Sequence, residues 1–184
     1  NNLKRTSMKK LVFSILFFTF SIGLFAQYES AQNELKINMS NLIGFKWLDV
    51  GYERILNEES SIGFGTLISL DHSVDGLDEF RTFSLTPYYR HFFSGGYAQG
   101  FFVEAFTMIH SGNNNYYYDD FNYNSTYTED KFTDFAVGIS IGSKWVTARG
   151  FVAEIYLGIG RDMFNKSDLE VVGRGGVSIG YRFQ

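Results

Sequence analysis

Residues 151–160 read FVAEIYLGIG, and the alternation within this stretch decides the fold. Every second side chain from Phe151 onward is apolar. The intervening positions combine small, polar and charged side chains, namely Val152, Glu154, Tyr156, Gly158 and Gly160. Strict alternation over this length predicts a β-strand with one apolar and one polar face.

Seven further stretches alternate in the same way and are separated by clusters of Gly, Asn, Asp and Ser. The eight predicted strands are Glu34–Ile43, Trp47–Leu56, Ser61–Leu70, Phe80–Phe93, Phe101–His110, Thr133–Trp145, Phe151–Gly160 and Val171–Phe183. Short turns and longer polar connections alternate along this series, which is the layout of an up-and-down barrel with both termini on one side of a membrane. We therefore predict an all-β protein, an eight-stranded antiparallel up-and-down transmembrane β-barrel over residues 27–184, with periplasmic termini.

The glycines indicate which face of the strands lies inside the barrel. In Thr133–Trp145 and Val171–Phe183 they share the polar face with hydroxyl and charged side chains. Glycine weakens a strand unless space is tight, and space is tight inside a narrow barrel. The polar face is therefore predicted to line the lumen and the apolar face to meet lipid in a bacterial outer membrane. A soluble, lipocalin-like barrel with the apolar face inside is the alternative.

The N-terminal segment has the features of a signal for export. Lys9 and Lys10 precede the uncharged stretch Leu11–Leu24, and the small residue Ala26 fits a cleavage site. A membrane-spanning helix needs about 20 apolar residues, more than this stretch offers. Residues 1–26 are predicted to be an upstream extension plus a cleavable signal peptide.

Aromatic residues make up 18% of the chain and gather where predicted strands approach the short turns. This set, expected to form an aromatic girdle at the membrane interface, consists of Phe92, Phe93, Phe101, Trp145, Phe151, Tyr181 and Phe183. Phe45, Trp47 and Phe80 fall near the opposite rim. Pro87 lies in the middle of a predicted strand, where its missing N–H predicts a bulge or a distorted pairing.

The composition excludes several classes of chemistry. The chain has no Cys, so disulfides and thiolate catalysis are excluded. The net charge of −4, without a basic block, argues against nucleic acid as a partner. No metal or cofactor motif is present, and we expect no cofactor.

Two segments resemble a known family. Ser84–Phe93 (SLTPYYRHFF) followed by Gly100–Ala105 resembles small bacterial outer-membrane β-barrel families of uncharacterised function, with OmpA/OmpX-type architecture. Gly175–Phe183 resembles the closing strand that the barrel-assembly machinery recognises, although Gln184 follows the usual terminal aromatic residue. The resemblance implies that outer-membrane lipid, lipopolysaccharide and the assembly machinery are partners. It is also compatible with a protein partner in an envelope complex.

The charged residues that the alternation places on the inward face of the strands comprise equal numbers of acids and bases. They are Lys36, Asp49, Glu53, Arg90, Glu104, Asp134, Lys144, Glu154, Arg174 and Arg182. We interpret them as a salt-bridge network that fills the lumen, because an arginine facing lipid at mid-membrane costs about 2–4 kcal/mol. An ion or proton path is the alternative. Phe101–His110 is ambiguous, because apolar Phe102, Phe106 and Met108 share the parity of Glu104.

The polar outer connections carry the remaining candidate sites. The stretch Ser111–Lys131 is rich in Tyr, Asn and acidic residues, a composition suited to adaptable binding surfaces. Its binding candidates are Tyr116, Tyr117, Tyr118, Asp119, Asp120 and Tyr123. The function we expect is structural or loop-displayed interaction, without an open pore and without enzymatic activity. The alternatives are a small channel, or an outer-membrane hydrolase that uses His72 or His110.

Overall fold

The structure, a computed structural model, describes residues 31–70, 81–119, 125–164 and 170–184, with side chains throughout except at 114–119 and 125–130. The predicted signal segment at residues 1–26 lies outside this part of the chain. Among the described residues, no helix is long and apolar enough to cross a membrane.

Eight antiparallel strands close into a barrel in which each strand pairs with its neighbours in sequence. They are β1 (Asn33–Asn38), β2 (Trp47–Ile55), β3 (Ser60–Ser69), β4 (Phe83–Phe92), β5 (Gly100–Asp119), β6 (Ser125–Val146), β7 (Phe151–Asp162) and β8 (Val171–Phe183). The barrel closes between β1 and β8, where Asn33 pairs with Phe183. The predicted eight-stranded up-and-down barrel is confirmed. The start of β1 and the end of β8 lie at the same rim of the barrel, where the short turns are.

The prediction that the first strand runs to Ile43 is wrong. The strand ends at Asn38, and a short helix, α1 (Met39–Phe45), follows. The Asn38 side chain accepts a hydrogen bond from the backbone N–H of Asn41 over 3.2 Å, which caps the helix. Lys46 then adopts a left-handed conformation with φ of 54° and turns the chain into β2. A local side-chain cap therefore overrides the alternating pattern.

Strands β5 and β6 are much longer than predicted. They pair with each other continuously, from Gly100 opposite Lys144 at one end to Asp119 opposite Ser125 at the other. The pairing of β4 with β5 reaches only to Ser111, and that of β7 with β6 reaches only to Ala136. Beyond these residues β5 and β6 continue to pair with each other, so they form a β-hairpin that projects past the barrel wall.

Pro87 interrupts the barrel wall without a bulge. Leu85 pairs with Ile109 and Tyr88 pairs with Phe106, and these pairs keep one register. Pairing with β5 is missing between them, while Pro87 still pairs with Phe64 on β3. Because Pro87 has no N–H to donate, the pairing is distorted on one side only, which is the second of the two predicted alternatives.

The two faces of the barrel are inverted relative to a soluble barrel. Leu157 and Ile139 on the outside are 73% and 60% exposed, whereas Glu154 and Lys144 on the inside are 3% and 0% exposed. The apolar side chains therefore form the outer surface and the charged ones fill the interior. This is the opposite of the lipocalin-like arrangement.

The inward glycines make room for large side chains in the lumen. A Cβ atom added to Gly142 would lie 2.6 Å from Cζ of Phe102 and 2.7 Å from Cβ of Tyr156. Gly138 and Gly160 approach the ring of Phe106 in the same way. The tight interior space inferred from the sequence is therefore occupied by aromatic rings.

The lumen is closed at the rim of the short turns. The turn between β4 and β5 folds inward, so that Ala98 is fully buried and its N–H donates to the carbonyl of Glu58 over 2.7 Å. The Arg182 guanidinium donates to the carbonyls of Tyr97 and Ala98 at 3.0 and 2.8 Å. We call this inward-folded turn the plug, and Phe92 packs beside it.

The inward position of Phe92 corrects one assignment to the girdle. Phe92 is 1% exposed and packs edge-on against Phe102, with ring centroids 5.7 Å apart. It has the inward parity of Arg90, two residues earlier on the same strand. The other aromatic residues predicted at this rim are exposed on the outer surface: Phe93, Phe101, Trp145, Phe151, Tyr181 and Phe183. Phe80 lies outside the described residues.

Candidate functional site: the filled lumen and the outer cavity

Glu53 lies at the centre of the buried ion pairs. Its carboxylate accepts hydrogen bonds from Lys36 and Lys144, each over 2.5 Å, and from Arg90 over 2.9 Å. The hydroxyl of Ser61 donates to the same carboxylate over 2.6 Å. Three bases around one carboxylate leave it fully hydrogen-bonded, which is the condition under which a buried charge is tolerated.

Two further carboxylates extend the network through Arg90. Nε of Arg90 donates to Glu104 over 2.6 Å, and Nη1 donates to Glu154 over 2.7 Å. Glu154 also accepts from Lys36 over 2.8 Å, and Glu104 accepts from Arg174 over 2.6 Å. Strands on opposite sides of the barrel are thereby connected across the lumen.

Glu34 belongs to the network and was missed in the sequence. It is fully buried, lies 2.6 Å from Arg182 and accepts from Lys144 over 2.9 Å. It shares the parity of Lys36, two residues later, but as the first residue of a predicted strand it was assigned no inward role. Eight of the ten predicted lumen charges are joined with it: Lys36, Glu53, Arg90, Glu104, Lys144, Glu154, Arg174 and Arg182.

The other two predicted members lie apart from these ion pairs. Asp49 accepts hydrogen bonds from the side-chain amides of Asn38 and Asn41 over 3.0 and 2.7 Å. Asp134 is buried, and its Oδ1 accepts from the backbone N–H groups of Phe135 and Phe164 over 2.7 and 3.1 Å. Both carboxylates therefore bind amide groups nearer the long connections.

The ambiguous parity of β5 has a structural explanation. Phe102, Phe106 and Met108 are all buried in the lumen together with Glu104. The Arg90 guanidinium lies 4.2 Å from the ring centroid of Phe102, close enough for a cation–π contact. The lumen is therefore filled with alternating aromatic rings and ion pairs.

A cavity of about 360 Å³ lies above this filled layer, towards the long connections. The residues of α1 and the start of β2 line one side of it, including Phe45 and Trp47, whose rings stack with centroids 5.1 Å apart. Arg81, Arg174 and Asp49 line the other walls. Neither Arg81 nor Trp47 was identified from the sequence as a candidate site residue.

Arg81 is a buried base with no carboxylate partner in the described part of the chain. Its Nη2 donates to the carbonyl of Gly173 over 2.9 Å, and its Nε is buried without an acceptor. Among the described residues, no carboxylate lies within 4.0 Å of its guanidinium, unlike the other buried bases of the lumen. Burial and the nearby Arg174 lower the pKa of Arg81 to about 10, so it remains protonated at neutral pH.

The histidine candidates do not form a catalytic arrangement in the described part of the chain. His110 is buried in β5, where its Nε2 lies 2.8 Å from Oδ1 of Asp162. Its Nδ1 is buried without a hydrogen-bond partner, so no hydroxyl nucleophile is engaged there. His72 lies outside the described residues.

The loop-binding candidates are placed only in part. Tyr116, Tyr117, Tyr118 and Asp119 lie on the projecting part of β5, paired with β6 between Thr128 and Ser125. Asp120 and Tyr123 lie outside the described residues. The described part of the chain contains no group of three or more acidic or His side chains that could hold a metal ion.

An apolar exterior around a charged, filled interior defines an inside-out, eight-stranded β-barrel. No family model and no curated protein matches the chain. Among solved structures, the N-terminal β-barrel domain of Pseudomonas aeruginosa OprF matches with a TM-score of 0.49 and 11% sequence identity. The match covers 84% of this chain and 98% of that domain.

Proposed function

We propose that this protein is a closed barrel of the bacterial outer membrane that holds loops at the cell surface. The observation that carries the proposal is the inverted barrel, in which an apolar outer surface surrounds a lumen blocked by ion pairs and by the Ala98 turn. Water cannot solvate such an exterior favourably, whereas lipid can. All wall strands pair in a closed ladder, as a bilayer requires.

The proposed orientation places the rim of the short turns in the periplasm. Both ends of the barrel lie at this rim, because Asn33 of β1 pairs with Phe183 of β8. The long β5–β6 hairpin then projects from the outer face. Exposed Trp145, Phe151 and Tyr181 would lie at the periplasmic interface, where aromatic side chains are favoured.

The proposed role is structural, with the hairpin as an interaction surface. Its tip region, within Ser111–Lys131, is rich in tyrosine and asparagine, which make adaptable contacts with little entropic cost. The partners would be membrane lipid and lipopolysaccharide at the wall, the barrel-assembly machinery at β8, and a protein of an envelope complex at the hairpin. Nucleic acid is not a proposed partner.

The described residues do not offer the geometry that a channel, or a hydrolase using His110, would need. A channel needs a continuous path, but Glu53, Arg90 and Glu154 bridge the lumen at mid-height through short ion pairs. A hydrolase using His110 needs a nucleophile within hydrogen-bond reach, and its free ring nitrogen has none among the described residues. The closed barrel is therefore the function that the geometry supports best.

Planar-bilayer recording of purified protein tests the closure. We expect no large, steady conductance, and we expect a mobility difference between unboiled and boiled samples that shows the barrel was folded. Stable unitary currents from protein that shows this mobility difference would favour a channel. Recovery of the protein as a water-soluble periplasmic species would contradict the membrane assignment itself.

Replacement of residues 112–130 by a short Gly/Ser turn tests the display role. The barrel wall ends at Ser111 on β5, so the shortened protein should still assemble and keep its gel shift. Cross-linking on whole cells should then lose the partners that wild-type protein captures. An unchanged set of partners would contradict display by the hairpin while leaving the closed barrel intact.

A further inference from the structure

The outer cavity contains hydrogen-bond donors that have no acceptor. Nε of Arg81 and Nε1 of Trp47 are both buried without a partner among the described residues. Buried donors in proteins are normally satisfied, and an unpaired buried cation is especially unfavourable. Arg81 is only 8% exposed, so its guanidinium is largely removed from bulk water.

Among the described residues, no charged side chain that lines the cavity forms an ion pair with Arg81. Arg174 is already neutralised by Glu104 at 2.6 Å. Asp49 is the carboxylate that lines the cavity, and the amides of Asn38 and Asn41 donate to it. Asp49 and Asp162 act on the charge of Arg81 only at long range, because neither carboxylate lies within 4.0 Å of its guanidinium.

The cavity also has a wall suited to a planar or apolar group. Phe45 and Trp47 stack against each other on one side, and Tyr156 contributes a third ring. A volume of about 360 Å³ lies at the small end of the range for ligand pockets. The occupant that fits is therefore small, anionic at one end and flat or apolar at the other.

We infer that this cavity is a binding site for a small organic anion whose carboxylate or phosphate oxygens accept hydrogen bonds from Arg81 and Trp47. The anion supplies negative charge beside Arg81, where the described residues place no carboxylate within ion-pair distance. Its remaining atoms stack on the aromatic wall of Phe45 and Trp47. The site lies between the long connections and the ion-pair layer below it.

The fluorescence of Trp47 offers a direct measurement of binding. The chain has two tryptophans, and Trp145 is exposed on the outer surface of the barrel, so Trp145→Phe leaves Trp47 as the single emitter. This protein in detergent micelles is titrated with potassium phosphate or sodium benzoate at constant ionic strength. We expect a saturable change in emission with at least one of these two probes.

Arg81→Met in the same background is the decisive variant. Its dissociation constant should rise about tenfold or more, because a charge-assisted hydrogen bond contributes that much to affinity. Arg161→Met is the matched control, since Arg161 lies at the same end of the barrel but is 73% exposed on the outside. Its dissociation constant should be unchanged.

A thermal measurement keeps the test independent of the variant. The bound anion should raise the melting temperature of wild-type protein, because a ligand that binds only the folded state stabilises it. If Arg81→Met does not fold, Arg81→Gln replaces it. Absence of saturable change with both probes, or equal affinity in wild type and the Arg81 variant, would overturn the site.

The source of the anion is distinguished with vesicles. Phosphatidylcholine vesicles with and without phosphatidic acid are compared by the emission of Trp47. A change that requires phosphatidic acid, together with competition by free phosphate, supports the same site with a lipid headgroup as occupant. Saturation by benzoate or phosphate in micelles supports a free small anion.

Discussion

Arg90 and Glu104 face each other directly on neighbouring strands, and Nε of the guanidinium donates to the carboxylate over 2.6 Å. The same carboxylate also accepts from Arg174 over 2.6 Å and from the hydroxyl of Ser140 over 2.9 Å. Glu104 thus connects Arg90, in the middle of the lumen, to Arg174, which lines the outer cavity.

Glu104→Ala is expected to lower the free energy of unfolding by about 3–5 kcal/mol, because the guanidinium groups of Arg90 and Arg174 stay buried and each loses an ion-pair partner. The temperature at which the folded gel band disappears measures this. Glu58→Ala, at an exposed turn position, should behave as wild type. Equal transition temperatures for the two variants would show that the Arg90–Glu104 contact contributes little.

Gly142→Ala tests how tightly the lumen is packed. The added Cβ would lie 2.5 Å from the backbone oxygen of Ile155 and 2.6 Å from Cζ of Phe102, and overpacking of this kind costs about 1–3 kcal/mol. Gly51→Ala is the matched control, since its nearest contact would lie at an ordinary 3.8 Å. Denaturant titration of both variants compares them, and similar midpoints would mean that the rings yield without cost.

The two tryptophans should report opposite sides of the barrel wall. In vesicles with bromine-labelled acyl chains, a Trp47→Phe variant emits from Trp145, which is 57% exposed on the outside, and should be strongly quenched. A Trp145→Phe variant emits from Trp47, inside the cavity, and should be quenched much less. Equal quenching of the two variants would contradict the inverted faces.

Arg182→Met should loosen the plug at the rim of the short turns. The guanidinium holds the carbonyls of Tyr97 and Ala98, so its loss should expose this turn to chymotrypsin, which cleaves after tyrosine. Fragment sizes on gels report the cleavage. Arg149→Met, in an exposed turn of the same rim, should stay resistant, and resistance of both variants would mean that other contacts hold the plug.

Alternation along the chain was sufficient to predict the strand number, the antiparallel order and the inward parity of the charges. The physical reason is that the pleat of a strand sends successive side chains to opposite faces, so the face of a residue depends only on its neighbours in sequence. Glu154 between apolar Ala153 and Ile155 shows this directly. The same alternation misled the prediction of β1, because the helix cap at Asn38 depends on a single side-chain hydrogen bond.

Parity places a residue inside the barrel but does not decide what it touches there. Glu34 meets Lys144 across 110 positions of sequence, and Arg81 meets Gly173 across 92. These contacts depend on the register of strands around a closed ring, which alternation does not encode. The sequence by itself therefore determined an inside-out barrel with charges in its lumen. Only the tertiary structure decided that Glu34 joins the ion pairs, that Asp49 lies apart from them, and that Arg81 is buried at the outer cavity with no ion-pair partner among the described residues.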